Sequence, residues 1–352
     1  MYKSRESNIE LLRIVSMLFI ILGHFIGQGG GSDYPQLGVW ASVLGSGSRI
    51  GANIFLIIGA WYLVDAGFRS EKIIKLYYAN LFYTCTITLI MYAVGVSLSV
   101  NDLSKALFPF IRKTNWFVII YICLLLLAPF LKNVFGWEQK KQRLLILVLT
   151  ILIPCVCSVT AFMDSYLDNM LYFIYVYILA GYIKKNIFDG MKIGFIWICL
   201  GSGIYLLLAL LKYYLPQDSV MMSYASRLVM QYLADFKSLP NLFIALCIFL
   251  WVLKHSMGSV KIINFLAANT MGVYCIHQTP CFYDYLWKDI FKCEKYWNTD
   301  YAVIYTLCVS LMVFILATAI DKLRVMSVEK VFLRSRFFCF LNEKLTKAYS
   351  DF

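Results

Sequence analysis

An all-α membrane protein, a bundle of about ten spanning helices, is predicted by three observations. The 352 residues are 61% hydrophobic and only 15% charged, with a mean hydropathy of +0.71, where a soluble domain is nearer about 45–50% apolar and about 25% charged. Apolar stretches of about 20 residues, enough to cross a bilayer, recur along the whole chain. Basic residues gather in alternate connections between those stretches, as the positive-inside rule requires of a multi-pass protein.

The stretches fall at 9–27, 50–66, 76–97, 116–135, 143–162, 166–183, 193–214, 239–254, 262–283 and 301–320. The eighth and ninth are the least regular, and 212–238 has room for an interfacial or re-entrant piece. The first is not a cleavable signal, because it contains Glu10 and Arg13 and no small-residue cleavage pattern follows it. No repeat with a period of about 20–50 residues is visible. The membrane domain is therefore expected to occupy residues 1–320, and residues 321–352 to form a basic cytoplasmic tail.

With the N-terminus inside, about two thirds of the 32 Lys and Arg fall on the cytoplasmic side. The outer connections then balance near neutrality, and the net charge of +12 lies on the cytoplasmic half. Both termini are expected in the cytoplasm, with the protein in the cell (inner) membrane. A basic cytoplasmic face interacts with membrane lipids and is no argument for nucleic acid. The 11 Cys lie mostly inside apolar stretches; Cys155 and Cys157 are the one close pair, with no His nearby, so no metal site is expected. Gly45-Ser46-Gly47-Ser48-Arg49 lacks the final Gly of a Gly-x-Ser-x-Gly turn, and no Walker loop or dinucleotide fingerprint is present.

The first stretch carries the most informative pattern. Glu10, Arg13 and His24 lie on a helix that otherwise reads as spanning, and ionisable groups in hydrocarbon mark function by default. Eleven steps of about 100° bring His24 back to within roughly 20° of the face of Arg13, about 16 Å further along. Glu10 and Arg13 are three apart and can pair. That pair either neutralises itself near the boundary, with Arg13 snorkelling to headgroups, or serves a site. His24 falls near the outer surface, followed by Gly27, Gly29, Gly30 and Gly31.

With these motifs the chain resembles acyltransferase family 3, integral-membrane enzymes of ten helices that O-acylate carbohydrates. Arg13-x10-His24 is similar to the family's N-terminal signature. The second stretch, Gly51 to Leu63, is similar to its Phe-rich segment, although Ile58-Gly59-Ala60 has no Ser before the Gly. Asn115-Trp116-Phe117 through Tyr121 to Pro129 resembles the Trp-Phe…Tyr…Pro-Phe-Leu run, and Gly272-Val273-Tyr274-Cys275-Ile276-His277 the Gly-x-Tyr-x-Ile-His pattern. The resemblance covers nearly the whole chain.

It implies an O-acyltransferase that takes acetyl, or another acyl group, from acyl-CoA and passes it to a hydroxyl of an exported or cell-surface carbohydrate, free or lipid-linked. No cofactor would be bound and no metal required. His24 would be the base, since its unperturbed pKa suits proton transfer near neutrality, or would itself accept the acyl group. Glu10 and Arg13 would belong to the catalytic set, with Arg13 facing the donor. Lys72 and Lys75 hold the places of the family's Arg-x-x-Arg donor pattern, and Arg69 precedes them by three, so the three cations form one stripe for an anionic nucleotide or are simply a positive-inside loop. Trp116, Tyr121, Tyr274 and His277 are candidates for the acceptor site; Trp116 and Tyr121, placed at the outer end of the fourth stretch, also fit an aromatic belt. The rivals from other classes are a polysaccharide transporter or flippase, for which internal repeats would be expected, and a glycan polymerase, for which a large basic outer loop would be expected.

Overall fold

The computed structural model describes residues 6–31, 38–158, 165–192, 194–229 less 215–227, and 231–350. Every regular element among them is helical. Among the described residues, five helices are long and apolar enough to cross a membrane: Ser7–Gln28, Ser70–Ala93, Trp116–Gly136, Ser165–Asn186 and Ala302–Phe332. The chain divides into two compact units, the first comprising Met1–Gly23, Ser42–Asp65 and Leu131–Asn264, the second His24–Ala41, Ala66–Phe130 and Phe265–Phe352.

The first unit contains most of α1 (Ser7–Gln28) and α2 (Gly38–Leu63), with α6 (Gln139–Thr150), α7 (Ser165–Asn186), α8 (Phe195–Tyr214) and α9 (Leu239–Lys254) from the later chain. Without a hydrophobic drive between helices in lipid, small residues set close approach. At Gly51 a Cβ would stand 2.6 Å from the Ser16 carbonyl oxygen, so α1 and α2 meet backbone to backbone. The start of α1 is tied down by polar side chains: Ser7 Oγ donates to Asn264 Oδ1 at 2.9 Å, and Asn8 Nδ2 to the Val252 carbonyl at 2.8 Å. Pro154 cannot supply an N–H to the ladder, and α6 accordingly widens into a π-turn over Ile151–Cys157.

The second unit is arranged around α3 (Ser70–Ala93). After α3 the chain does not proceed straight into the next span. A short helix α4 (Val100–Leu107), closed by a Ser99–Asp102 capping box, turns back beside α3. Thr84 Oγ1 donates to the Ala106 carbonyl at 2.9 Å, and Asn115 Nδ2 to Asn80 Oδ1 at 2.7 Å. Asn80 lies thirteen residues before the end of α3, about 20 Å back along its axis. So α5 (Trp116–Leu131) begins near the middle of α3, and Trp116 and Tyr121 do not stand at the level of the α3 end, where an outer aromatic belt would place them. Lys113 and Asn115, at φ of 57° and 55°, make this turn in the left-handed region, which Asn tolerates better than most residues.

The ninth predicted span, 262–283, is not one helix. It is α10 (Lys261–Ala267), α11 (Thr270–His277) and α12 (Pro280–Asp284). Two local causes are evident. Asn269 Nδ2 bonds back to the Phe265 carbonyl at 3.0 Å, competing with the helical ladder, and Pro280 cannot continue α11. The break leaves His277 as the last residue of α11.

Helix α13 (Ala302–Arg324) continues through a π-turn, Val325–Glu329, to Phe332. At its end Asp321 accepts from the Tyr83 hydroxyl at 2.8 Å and from Arg324 Nε at 2.9 Å, while Arg324 Nη1 reaches Glu329 at 2.5 Å. All three charged residues are buried. A Cβ at Gly272 would overlap the Asp321 carboxylate, so the Gly of the Gly-x-Tyr-x-Ile-His pattern lets α11 lie directly on this cluster. The final helix α14 (Arg336–Ala348) packs on the start of α3, where Ser70 Oγ bonds Asn342 and Thr346 at 2.7 Å each.

Gly272→Ala is expected to cost roughly 1–3 kcal/mol through overpacking against a buried carboxylate, read as a lowered Tm of the purified protein. An unchanged Tm would show that the contact is slack.

Candidate active site

Helix α1 carries His24 and, one turn later, Gln28; α11 ends in Tyr274 and His277, with Gln278 next. These are brought together as two successive cross-links. His24 Nδ1 and His277 Nε2 are 3.0 Å apart. One turn on, the Gln28 and Gln278 amides exchange hydrogen bonds of 3.1 and 3.2 Å, and Trp287 Nε1 donates to Gln28 Oε1 at 2.9 Å.

The hydrogen bonds assign the protons. His277 is fully buried, and its Nδ1 lies 2.6 Å from the Val273 carbonyl oxygen. A carbonyl only accepts, so His277 Nδ1 carries the hydrogen and its neutral ring leaves Nε2 as an acceptor. The 3.0 Å contact then requires His24 to donate from Nδ1. Two neutral rings in this chain leave His24 Nε2 with its lone pair, and among the described residues it makes no hydrogen bond. His24 is only half-buried. A carbonyl thus orients one imidazole, which orients a second whose far nitrogen is free to accept a proton, the role that an acid–imidazole pair performs in hydrolytic triads.

The surroundings hold this geometry rigid. Phe25, next to His24, is clasped edge-on by Trp287 and Trp297, with ring centroids 5.3 and 5.2 Å away. Trp297 Nε1 donates to the Gly29 carbonyl at 2.8 Å. Tyr274 stands perpendicular to His277 at 6.0 Å, and Phe117 lies 6.0 Å beyond Tyr274. Trp116 packs edge-on against Phe117 at 5.7 Å.

Of the residues predicted for the acceptor site, Tyr274 and His277 thus stand with His24, and Trp116 joins them through Phe117. Tyr121 is elsewhere. Its hydroxyl accepts from Lys72 Nζ at 3.0 Å, and the same ammonium lies 5.1 Å from the Tyr121 ring centroid. Lys75 is paired with Glu71 at 2.6 Å, and Arg69 is exposed at the start of α3. The stripe is therefore unequal, with one cation exposed, one held by an aromatic hydroxyl and one neutralised. In the first unit Arg13 Nη1 bridges both oxygens of Glu10, at 2.9 and 2.7 Å, and leaves Nε and Nη2 uncommitted among the described residues. No group of His, Cys, Asp or Glu among the described residues could hold a metal ion.

Gln28, Gln278 and Trp287 were missed from the sequence. Gln28 could have been found, since it follows His24 at the helical spacing of four and Gln278 adjoins His277. Trp287 comes from a π-turn, Tyr285–Ile290, whose position no pattern announces. The Asp321–Arg324–Glu329 cluster was hidden by its placement in a segment that reads as a charged tail.

The fold is that of a helical membrane protein in which one imidazole braces another. The acyltransferase domain of acyltransferase family 3 matches residues 6–322, and the chain belongs to that family: it is a membrane acyltransferase. No curated protein and no solved structure matches it.

If His277 acts by holding the His24 tautomer, His277→Ala should lower the rate of acyl transfer by about 10²-fold or more. His277→Gln, whose amide oxygen can still accept from His24 Nδ1, should retain more activity than His277→Ala. Equal loss in both would point to packing alone.

Proposed function

We propose that the protein transfers acetyl from acetyl-CoA to a hydroxyl of an exported or cell-surface carbohydrate, with His24 Nε2 as the general base. The bare nitrogen at the end of the Val273–His277–His24 chain is the observation that carries this reading. In the transfer, Nε2 takes the proton of the sugar hydroxyl as its oxygen attacks the thioester carbonyl. The carbon–sulfur bond breaks, and the departing CoA thiolate takes the proton from the imidazolium. Atoms balance with no oxidant and no metal. The positive charge that develops on His24 is shared toward His277 through the Nδ1 hydrogen.

The donor reading rests on charge. Arg69 and Lys72 at the start of α3 suit the phosphates of coenzyme A. The segregation of basic residues supports cytoplasmic termini in the cell membrane, with donor taken from the cytoplasm. Tyr274 and Trp116 offer aromatic faces to the apolar face of a sugar ring.

His24→Ala should insert, fold and bind acetyl-CoA, yet lose about 10²–10⁴-fold or more in transfer to carbohydrate, measured with radiolabelled acetyl-CoA in membranes containing the purified protein. His24→Gln, which can hydrogen-bond but cannot take a proton at neutral pH, should fail equally. Near-normal activity in His24→Gln would remove His24 as base, and acetyl found covalently on His24 with donor alone would replace direct transfer by a two-step route.

A further inference from the structure

We infer that Asn115 is a donor-recognition residue, its side-chain carbonyl receiving an amide N–H from the pantetheine arm of the acyl-CoA. The inference rests on the acyl-CoA reading above and adds the residue that reads the middle of that donor.

Asn115 is 94% buried in the second unit, and its amide is half used. Nδ2 donates to Asn80 Oδ1 at 2.7 Å, but Oδ1 has no hydrogen-bond partner. Burying an acceptor without a partner costs about 1–3 kcal/mol, and native proteins rarely keep such a group without a use. The neighbouring amide is saturated differently: Asn80 accepts from Asn115 and donates to the Thr114 carbonyl at 3.4 Å. Asn80 therefore fixes the Asn115 side chain and leaves one acceptor to spare.

Position gives that acceptor its ligand. Levels along α3 can be read from its contacts. Lys72 meets Tyr121, Asn80 meets Asn115, Tyr83 meets Asp321 against Gly272, and Thr88 meets Cys281. His277 lies between Gly272 and Cys281, hence between the levels of Tyr83 and Thr88. At 1.5 Å per residue the distance from Lys72 to the level of His277 is about 20 Å, and Asn115 stands about 12 Å along it. The pantetheine arm between diphosphate and sulfur has a backbone as long as about four residues, about 14 Å when extended, and the Lys72 side chain covers much of the remainder. With phosphates at the Arg69–Lys72 end and the thioester at His24, an amide N–H of the arm falls beside Asn115. Phe117, two residues on, reaches the Tyr274 ring at 6.0 Å, so the same turn that presents Asn115 also backs the imidazole pair.

The test uses the full chain in lipid nanodiscs and two donors: acetyl-CoA, and an acetyl-CoA analogue in which ester oxygens replace the pantetheine amide nitrogens. Asn115→Gly keeps the left-handed backbone and removes the amide. It should raise the KM for acetyl-CoA about 10-fold, the worth of one hydrogen bond, with kcat and the acceptor KM unchanged. With the ester analogue the wild type should already show the raised KM, and Asn115→Gly should add nothing. A purely structural Asn115 would affect both donors alike or leave KM unchanged while Tm falls, and either result overturns the inference. Wild-type protein that turns over acetyl-CoA beside an unaltered Asn115→Gly overturns this inference alone; wild-type protein with no turnover of any acyl-CoA overturns the donor reading, and this inference falls with it.

Discussion

The hydrogen bond between His24 Nδ1 and His277 Nε2 is the constraint on which the second unit turns. An isolated imidazole half-buried in a membrane helix exchanges tautomers freely and points wherever water or lipid allows. A second imidazole whose own proton is committed to the Val273 carbonyl removes that freedom, because only one arrangement of hydrogens satisfies all three groups. The matched Gln28–Gln278 bridge one turn on, and the indoles of Trp287 and Trp297 around Phe25, keep the two helices from sliding. The proposed base role draws on this preorganisation, which lets a weak base act without reorganising at the moment of transfer. The break of the ninth span follows the same need: by ending at His277, α11 delivers the imidazole at a terminus.

Charge is kept to a paired cluster at the other end of α11, against Gly272. The described partners of the imidazoles are neutral, the Val273 carbonyl and the Tyr274 ring. Further along α3, Asp321, Arg324 and Glu329 are buried together with the Tyr83 hydroxyl, and each charge has a partner. Buried ion pairs give little net stability against apolar replacements, but breaking one leaves an uncompensated charge. The cluster thus specifies how α3, α11 and α13 meet, and Gly272 is small because the carboxylate must touch the helix that ends in His277.

Much of this was legible in the sequence, and the reasons for the rest are physical. The helical membrane class follows from composition, and His24 with Arg13 from the cost of ionisable groups in hydrocarbon. The Gly-x-Tyr-x-Ile-His run singled out His277, though nothing in either motif says that the two rings touch. Hydropathy counts apolar length and is blind to direction, so it took 262–283 as one span and overlooked Asn269 and Pro280. It also placed Trp116 and Tyr121 at an outer belt, because the turn back of residues 94–115 along α3 is made by hydrogen bonds from Thr84 and Asn80, which carry no periodic signal. Lys72 and Tyr121 were assigned to opposite ends of the reaction for that reason, and they share a hydrogen bond.

Nitrogen-15 NMR of selectively histidine-labelled protein in nanodiscs, with the His24 resonances assigned by their loss in His24→Gln, tests the central claim most directly. At neutral pH the account predicts His24 protonated on Nδ1 with a bare Nε2, and a coupling across the hydrogen bond to His277 Nε2. His24 protonated on Nε2 would contradict it, since the nitrogen offered to the hydroxyl would then have no lone pair to give.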